Sequence, residues 1–203
     1  MTDRKESNAE FMRRLAFDEL YILPGVQERG DSQIEIEVEL ERLKPLERER
    51  VMRVAARRLA FQVLFEMDAR GIEDQKFITE TLARVEGLGP GALMHTTAMI
   101  TGALANRRTA DDDFRKLAPE WPTHRLAGVD RAILRLCHHE ITSKRNPPAI
   151  VLNEAVELAK HFSTDKSPAF INALLDKVAK ATEAAAAATT TTHGDAPSGT
   201  GVN

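Results

Sequence analysis

The stretch GVDRAILRLCHHEITSKRNPPAIVLNEAVELAKHFSTDKSPAFINALLDKV, residues 128–178, constrains the fold more than any other part of this chain. It holds three apolar patterns of helical spacing, separated by two hard stops. Val129, Ala132, Ile133, Leu136 and Cys137 recur at i, i+3, i+4, i+7 and i+8, the apolar face of one helix. Asn146-Pro147-Pro148 must end it, because proline lacks an N–H and restricts the residue before it. Leu152, Ala155, Val156 and Ala159 then resume the period, with Glu154 and Glu157 expected to point outward. Ser167-Pro168 reads as a capping hydroxyl followed by proline at the first helical position. Ile171, Leu174, Leu175 and Val178 form the third apolar face. The spacing predicts a helical hairpin with a third helix packed on it.

Upstream, Met52, Ala55, Ala56, Leu59, Ala60, Val63 and Met67 make one stripe, widened by Phe61, Leu64 and Phe65, in a helix expected from Leu46 to Arg70 and stopped by Gly71. Further helices are expected over Asp74–Glu86 and Ala92–Arg108, the latter with Leu93, Thr97, Ile100 and Leu104 inward. Asp111-Asp112-Asp113 reads as the opening of another helix through Leu117, since acids suit the positive N-terminal end. The fold class is therefore all-α, a compact bundle of about seven helices over residues 47–181.

The ends differ in composition. Residues 1–46 read as a leader outside the core: a short amphipathic helix over residues 8–22, then Ile34 to Glu41 in strict apolar–acidic alternation, which fits a strand, a helix or a mobile segment. Arg13-Arg14-Leu15-Ala16-Phe17 reappears as Arg57-Arg58-Leu59-Ala60-Phe61, a string short enough to recur by chance. Residues 182–203, with alanines at 184–188 and threonines at 189–192, read as a disordered tail whose alanines can prolong the last helix.

A hydrophobic content of 42% and a charged content of 29% describe a globular chain, and no apolar run approaches a membrane span. The N-terminus lacks the apolar region of a signal peptide. One cysteine, Cys137 on an apolar helical face, reads as a buried thiol in a reducing cytosol. His138-His139-Glu140 is not a zinc pattern, because adjacent histidines diverge on a helix. The aspartate triplet lacks the glycine and terminal glutamate of a calcium loop. Phosphate loop, GxGxxG and nucleophile elbow are all missing, so no cofactor, metal or catalytic role is expected.

Charge is unevenly placed. Net charge is −3, yet residues 31–49 carry seven acids against three bases, and residues 50–58 carry four arginines and no acid. Arg50, Arg53 and Arg57 fall at i, i+3 and i+7 and are expected on one solvent-facing side, flanked by Arg58. Arginine suits RNA through its fork to phosphate and its stacking on bases.

VDRAILRL, LNEAVELAKHF and FINALLDKV, in this order and spacing, resemble the C-terminal half of the NusB family of bacterial transcription antitermination factors. Weaker similarity extends back to about Arg50. The resemblance implies a non-enzymatic, cytoplasmic protein. It would bind boxA-type single-stranded RNA of nascent ribosomal transcripts together with the small-subunit ribosomal protein NusE. It would do so within an elongation complex of RNA polymerase and other Nus factors, away from any membrane. The family's arginine-rich start maps onto Arg53 and Arg57, its stacking aromatic onto Phe65 after Gln62-Val63-Leu64, and its FVN motif onto Phe170-Ile171-Asn172. RNA contact is thus expected at Arg50, Arg53, Arg57, Arg58, Phe65 and Phe170. The chain departs from the pattern at Val54 and Ala55, where relatives carry more arginines, at Phe65, where tyrosine is common, and at Ala169, where lysine usually precedes the phenylalanine. Those departures leave room for a helical interaction scaffold with weak RNA binding. An accessory domain of an RNA methyltransferase would need a catalytic domain that this sequence lacks. A helix-turn-helix reading fails on the start of its second helix, where Ala149 to Leu152 precede two acids.

Overall fold

The structure, a computed structural model, describes residues 44–85 and 88–191, with side chains as far as residue 188. The expected leader helix at 8–22, the alternating segment at 34–41 and the end of the tail lie outside the described residues. Seven α-helices are present among the described residues, and no strand: α1 (Pro45–Arg70), α2 (Gln75–Leu82), α3 (Pro90–Ala105), α4 (Arg107–Leu117), α5 (Gly128–Thr142), α6 (Pro148–Phe162) and α7 (Ser167–Thr191). A 3-10 turn, Thr123–Arg125, joins α4 to α5.

Local chemistry sets the boundaries. Helix α1 begins with Pro45 and a first-turn glutamate, whose Oε2 accepts the Lys44 N–H at 3.2 Å. It ends where Gly71 takes the left-handed conformation (φ 64°), which lets the Ile72 N–H reach the Met67 carbonyl at 2.9 Å. The Asp74 carboxylate caps α2 by accepting from the Lys76 N–H at 2.9 Å. Helix α6 opens with Pro148 after the Asn146-Pro147 stop. Helix α7 runs beyond the expected core boundary at 181, since alanine has the highest helix propensity.

Some expectations need correction. The aspartate triplet does not open a helix: α3 breaks at Asn106, whose side-chain amide donates to the Gly102 carbonyl at 2.9 Å, and α4 starts at once with Arg107. The three acids instead fall within α4 and pair sideways. Helix α3 turns Thr96, Met99, Ile100 and Ala103 to the core, while Leu93 and Thr97 are only partly covered. In α6 the buried apolar residues are Val151, Ala155, Leu158 and Ala159, and Glu157 is buried with them. Ser167 does not cap α7. Its hydroxyl donates to Asp130 Oδ2 at 3.0 Å, and Ser163 Oγ donates to Asp130 Oδ1 at 2.6 Å.

Helix α5 sits at the centre and touches α1, α3, α4, α6 and α7. Ile133, Leu134, Leu136, Cys137 and Ile141 are fully buried, so apolar residues cover more of its surface than one stripe. Arg57 of α1 meets Glu140 while Asp68 meets Arg131, so α1 and α5 run antiparallel. Burial pushes the Cys137 thiol well above its usual pKa, which keeps it protonated and inert.

Gly102 is where α3 meets α5. A Cβ there would lie 2.0 Å from His139 Nε2, so the ring would have to move and give up its contact with Asn106 Nδ2, 3.3 Å from its Nδ1. Helix propensity alone makes Gly→Ala favourable by about 1 kcal/mol. The clash reverses the sign. Gly102→Ala should lose about 1–3 kcal/mol in urea unfolding, and adding His139→Ala should recover part of that loss.

His138 and His139 are both buried, and burial, opposed at His138 by Asp113 3.1 Å away, lowers their pKa values below the usual 6.5. A depressed imidazole pKa means that folding favours the neutral ring. This stabilisation is complete above the unfolded value and is lost as pH falls from there through the folded pKa. Melting temperature should therefore drop as pH is lowered from about 6.5 to 5. His138→Gln, which keeps a donor near Asp113, should show the shallower slope, by at most about 1.4 kcal/mol per pH unit.

Candidate nucleic-acid interface

Between Ala55 and Leu64, α1 is covered on almost every side, and its polar residues divide according to what covers them. Arg50 and Arg53 lie on the side of α1 turned away from the core that Val51 enters, and are exposed. Arg53 Nη2 donates to Glu49 Oε1 at 2.6 Å, an i,i+4 pair with both side chains more than half exposed. Such a pair is worth only a few tenths of a kcal/mol and yields readily to a competing anion.

Arg57 does not share that solvent face, which corrects the expectation. It is 4% exposed, and its Nε and Nη2 donate at 2.7 Å each to the two carboxylate oxygens of Glu140, itself 1% exposed. Glu154 lies 3.5 Å from the third nitrogen. Burial alone lowers the guanidinium pKa, but the hydrogen bonds and charge of Glu140, followed by Glu154, more than offset it, and the net movement is upward. Glu154 moves upward too, because burial outweighs Arg57. The sequence around Arg57 carries no acid, and the partners come from α5 and α6. Glu154 and Glu157 accordingly do not point outward: Glu154 faces Arg57, and Glu157 is buried.

Arg58, the next residue, turns the other way. Its guanidinium lies over the Phe162 ring at 5.3 Å from the centroid. Phe162 in turn packs on Phe61 at 5.1 Å, and Phe61 on Phe65 at 6.4 Å. Phe65 is 36% exposed. Its ring rests on the start of α5, where a Cβ on Gly128 would come within 3.2 Å of Cε2. The approach is close enough that a side chain there would press on the ring, so the backbone of α5 itself supports it. Arg50, Val54, Arg58, Phe61 and Phe65 fall at i, i+4, i+8, i+11 and i+15, a single line along α1. That line passes from cation to aromatic.

Phe170 is half-buried on the first turn of α7 and does not touch this line in the described contacts. Its ring meets Trp121, at 5.8 Å between centroids, in the connection leading to α5. Five of the six residues expected in the site are thus distributed over three settings, the exposed start of α1 (Arg50, Arg53), the Arg58–Phe65 row, and Phe170 beside Trp121, and the sixth, Arg57, is withdrawn into the core. Sequence reasoning missed Trp121 because nothing in its local pattern distinguishes a packed indole from an exposed one.

Each residue of the motif His138-His139-Glu140 has a partner inside the fold, although His138 Nδ1 and His139 Nε2 are buried without one. His138 Nε2 meets Asp113, His139 meets Asn106, and Glu140 holds Arg57 and accepts from Asn146 Nδ2 at 2.9 Å. No group of three or more metal-ligating side chains occurs among the described residues.

The Arg57–Glu140 pair makes a sharp prediction. Glu140→Ala leaves a buried guanidinium with half its partners and should cost about 3–5 kcal/mol in chemical denaturation. Replacing both residues by apolar ones of similar size, Arg57→Met with Glu140→Leu, should recover most of that loss.

The model of the NusB family matches residues 54–180. The NusB transcription antitermination protein of Herpetosiphon aurantiacus is 37% identical over 131 residues, 63% of this chain and 89% of that protein. Its namesake from Streptomyces avermitilis is 38% identical over 129 residues, 62% of this chain and 90% of that protein. Among solved structures, T. maritima NusB superposes with a TM-score of 0.59 at 31% identity, covering 63% of this chain and 90% of that one. A crystal structure of NusB and NusE in complex with dsRNA gives a TM-score of 0.58 at 27% identity, covering 64% of this chain and 97% of that one. Over its α-helical core, from the arginines of α1 to the apolar face of α7, this chain belongs to the NusB family.

Proposed function

We propose that this protein is a cytoplasmic RNA-binding antitermination factor that acts with NusE on boxA-type sequences of nascent ribosomal RNA. The single observation that carries the reading is the line along α1, where exposed Arg50, with Arg53 beside it, and half-buried Arg58 lead into an exposed phenylalanine that rests on the start of α5. The solved relative that holds NusE and RNA together supports the same reading. The role is adhesive, not catalytic. Arg50 and Arg53 meet phosphates, and Phe65 offers its open face to a base. Arg58, over the Phe162 ring, lends positive charge to the middle of the row. Phe170 belongs to the same surface on the far side of the connection into α5. Arg57 serves it from inside, by fixing α1 against α5 so that its two neighbours in the ridge project together.

The division between Arg57 and the exposed pair decides how the reading is tested. An Arg57 charge reversal would unfold the protein and say nothing about RNA. Arg50→Glu with Arg53→Glu avoids the core, so stability should change by no more than about 0.5 kcal/mol per site. Two single-strand phosphate contacts predict that the slope of log affinity against log salt shrinks by about 1.4. Phe65→Ala should weaken binding by about 1–3 kcal/mol with little change in that slope. The measurement is fluorescence polarisation of a labelled boxA-type RNA, with and without NusE, across a salt series. Parent-like affinity and an unchanged slope in the double variant would remove α1 from the RNA surface.

A further inference from the structure

Trp121 is the single tryptophan of the chain, and it is 58% exposed. It is not on a loose tip. Its N–H donates to the Ala118 carbonyl at 2.9 Å, which holds the turn after α4, and its ring leans on Phe170 with a 53° tilt. The tilt leaves most of the indole open. Beside it lies an open groove of about 400 Å³, with Trp121 and Phe170 as its aromatic wall. Lys177 and Glu120 also line this groove, and Lys177 Nζ is fixed there by donating to the Leu117 carbonyl at 3.0 Å. An aromatic this exposed on a braced backbone is uncommon in a core-forming role, since the fold gains little from its ring.

We propose that Trp121 and Phe170 form a second base-stacking platform, which takes a nucleobase of the same single-stranded RNA that α1 holds. The proposal rests on the RNA-binding reading above and extends it to a residue outside the family motifs named earlier. Three features favour a base as the occupant. The wall is aromatic, and stacking on an aromatic face is how single-stranded nucleic acid is held without regard to sequence. The rim is polar with both signs present, so Lys177 can meet a base carbonyl or phosphate while the Glu120 carboxylate accepts from an exocyclic amine. The groove also lies within a short reach of Phe65 along the chain. Phe65 rests on Gly128 and the second ring pair is anchored at Trp121, seven residues earlier, at most about 25 Å of extended backbone. One short strand can reach both.

The lone indole makes the test direct, because tryptophan emission from this protein reports Trp121 alone. Unlabelled boxA-type RNA should quench that emission saturably, with the same midpoint that polarisation of the labelled RNA gives. Trp121→Ala should weaken RNA binding roughly 5- to 150-fold, the effect of losing one stacked base, without changing the salt slope. Trp121→Phe should retain most of the affinity, which separates stacking from damage to the fold. If RNA binds with parent affinity to Trp121→Ala, or binds the parent without altering its emission, the platform is wrong while the α1 reading stands. If emission responds to NusE alone and not to RNA, the groove is a protein-docking surface and the proposal fails in favour of that occupant. If no RNA binds with or without NusE, both the α1 reading and the platform fall together.

Discussion

Helix α5 is enclosed by five of the other six helices, so each polar side chain it carries must find a partner on one of them. It does so at every level. Asp130 holds the two serines that flank the entry into α7. Arg131 and Arg135 share Asp68 of α1, with Arg131 Nε at 2.9 Å and Arg135 Nη1 at 2.9 Å, and Arg135 also grips Asp111 of α4 in a two-point fork at 3.0 and 2.7 Å. His138, His139 and Glu140 complete the sequence toward the other end. The word VDRAILRL therefore alternates residues that fill the core with residues that fix orientation. Apolar packing alone would tolerate sliding between helices, whereas a bidentate arginine fork does not.

That constraint explains what the exposed surface looks like. Asp68 holds α1 near its C-terminal end and Glu140 holds it near the middle, so both polar anchors lie C-terminal to Arg50 and Arg53, which stay on the exposed side. Asp68 is kept below the usual carboxylate range, burial being outweighed by Arg131 and Arg135. The two adjacent arginines at 57 and 58 divide the work. One is an internal strut and the other lies over an aromatic row that continues to Phe65. A ridge that looks uniform in the sequence is thus a surface and its support.

Much of the fold was legible because the signals were local. The Asn146-Pro147-Pro148 stop, the left-handed Gly71 and the apolar periods of α5 and α7 each act within one or two turns of chain. The site was legible only in part, for the opposite reason. Nothing near Arg57 in sequence reveals that Glu140 and Glu154 will cover it, because burial of a charge is decided by partners on other helices. The same applies to Glu157, whose polarity suggested the outside, and to the aspartates of α4, which suit a helix start but serve Arg135 and His138 as lateral partners. Phe65 and Trp121 mark the converse case. Both are large apolar residues that composition would assign to the core, and both stay partly or largely exposed, Phe65 resting on the backbone of Gly128 and Trp121 leaning on Phe170.

The separation of Arg57 from Glu140 by 83 residues has a consequence for the order of events during synthesis. The chain is made from its N-terminus, so α1 emerges with a guanidinium destined for the interior and no carboxylate yet in existence to receive it. Helices α5, α6 and α7 follow one another through short turns, and Asp130 reaches its serines across only 33 and 37 residues. Contacts that close short loops form sooner than those that close long ones. The C-terminal hairpin and its third helix thus make the seat, and Arg57 can occupy it only after they have been synthesised.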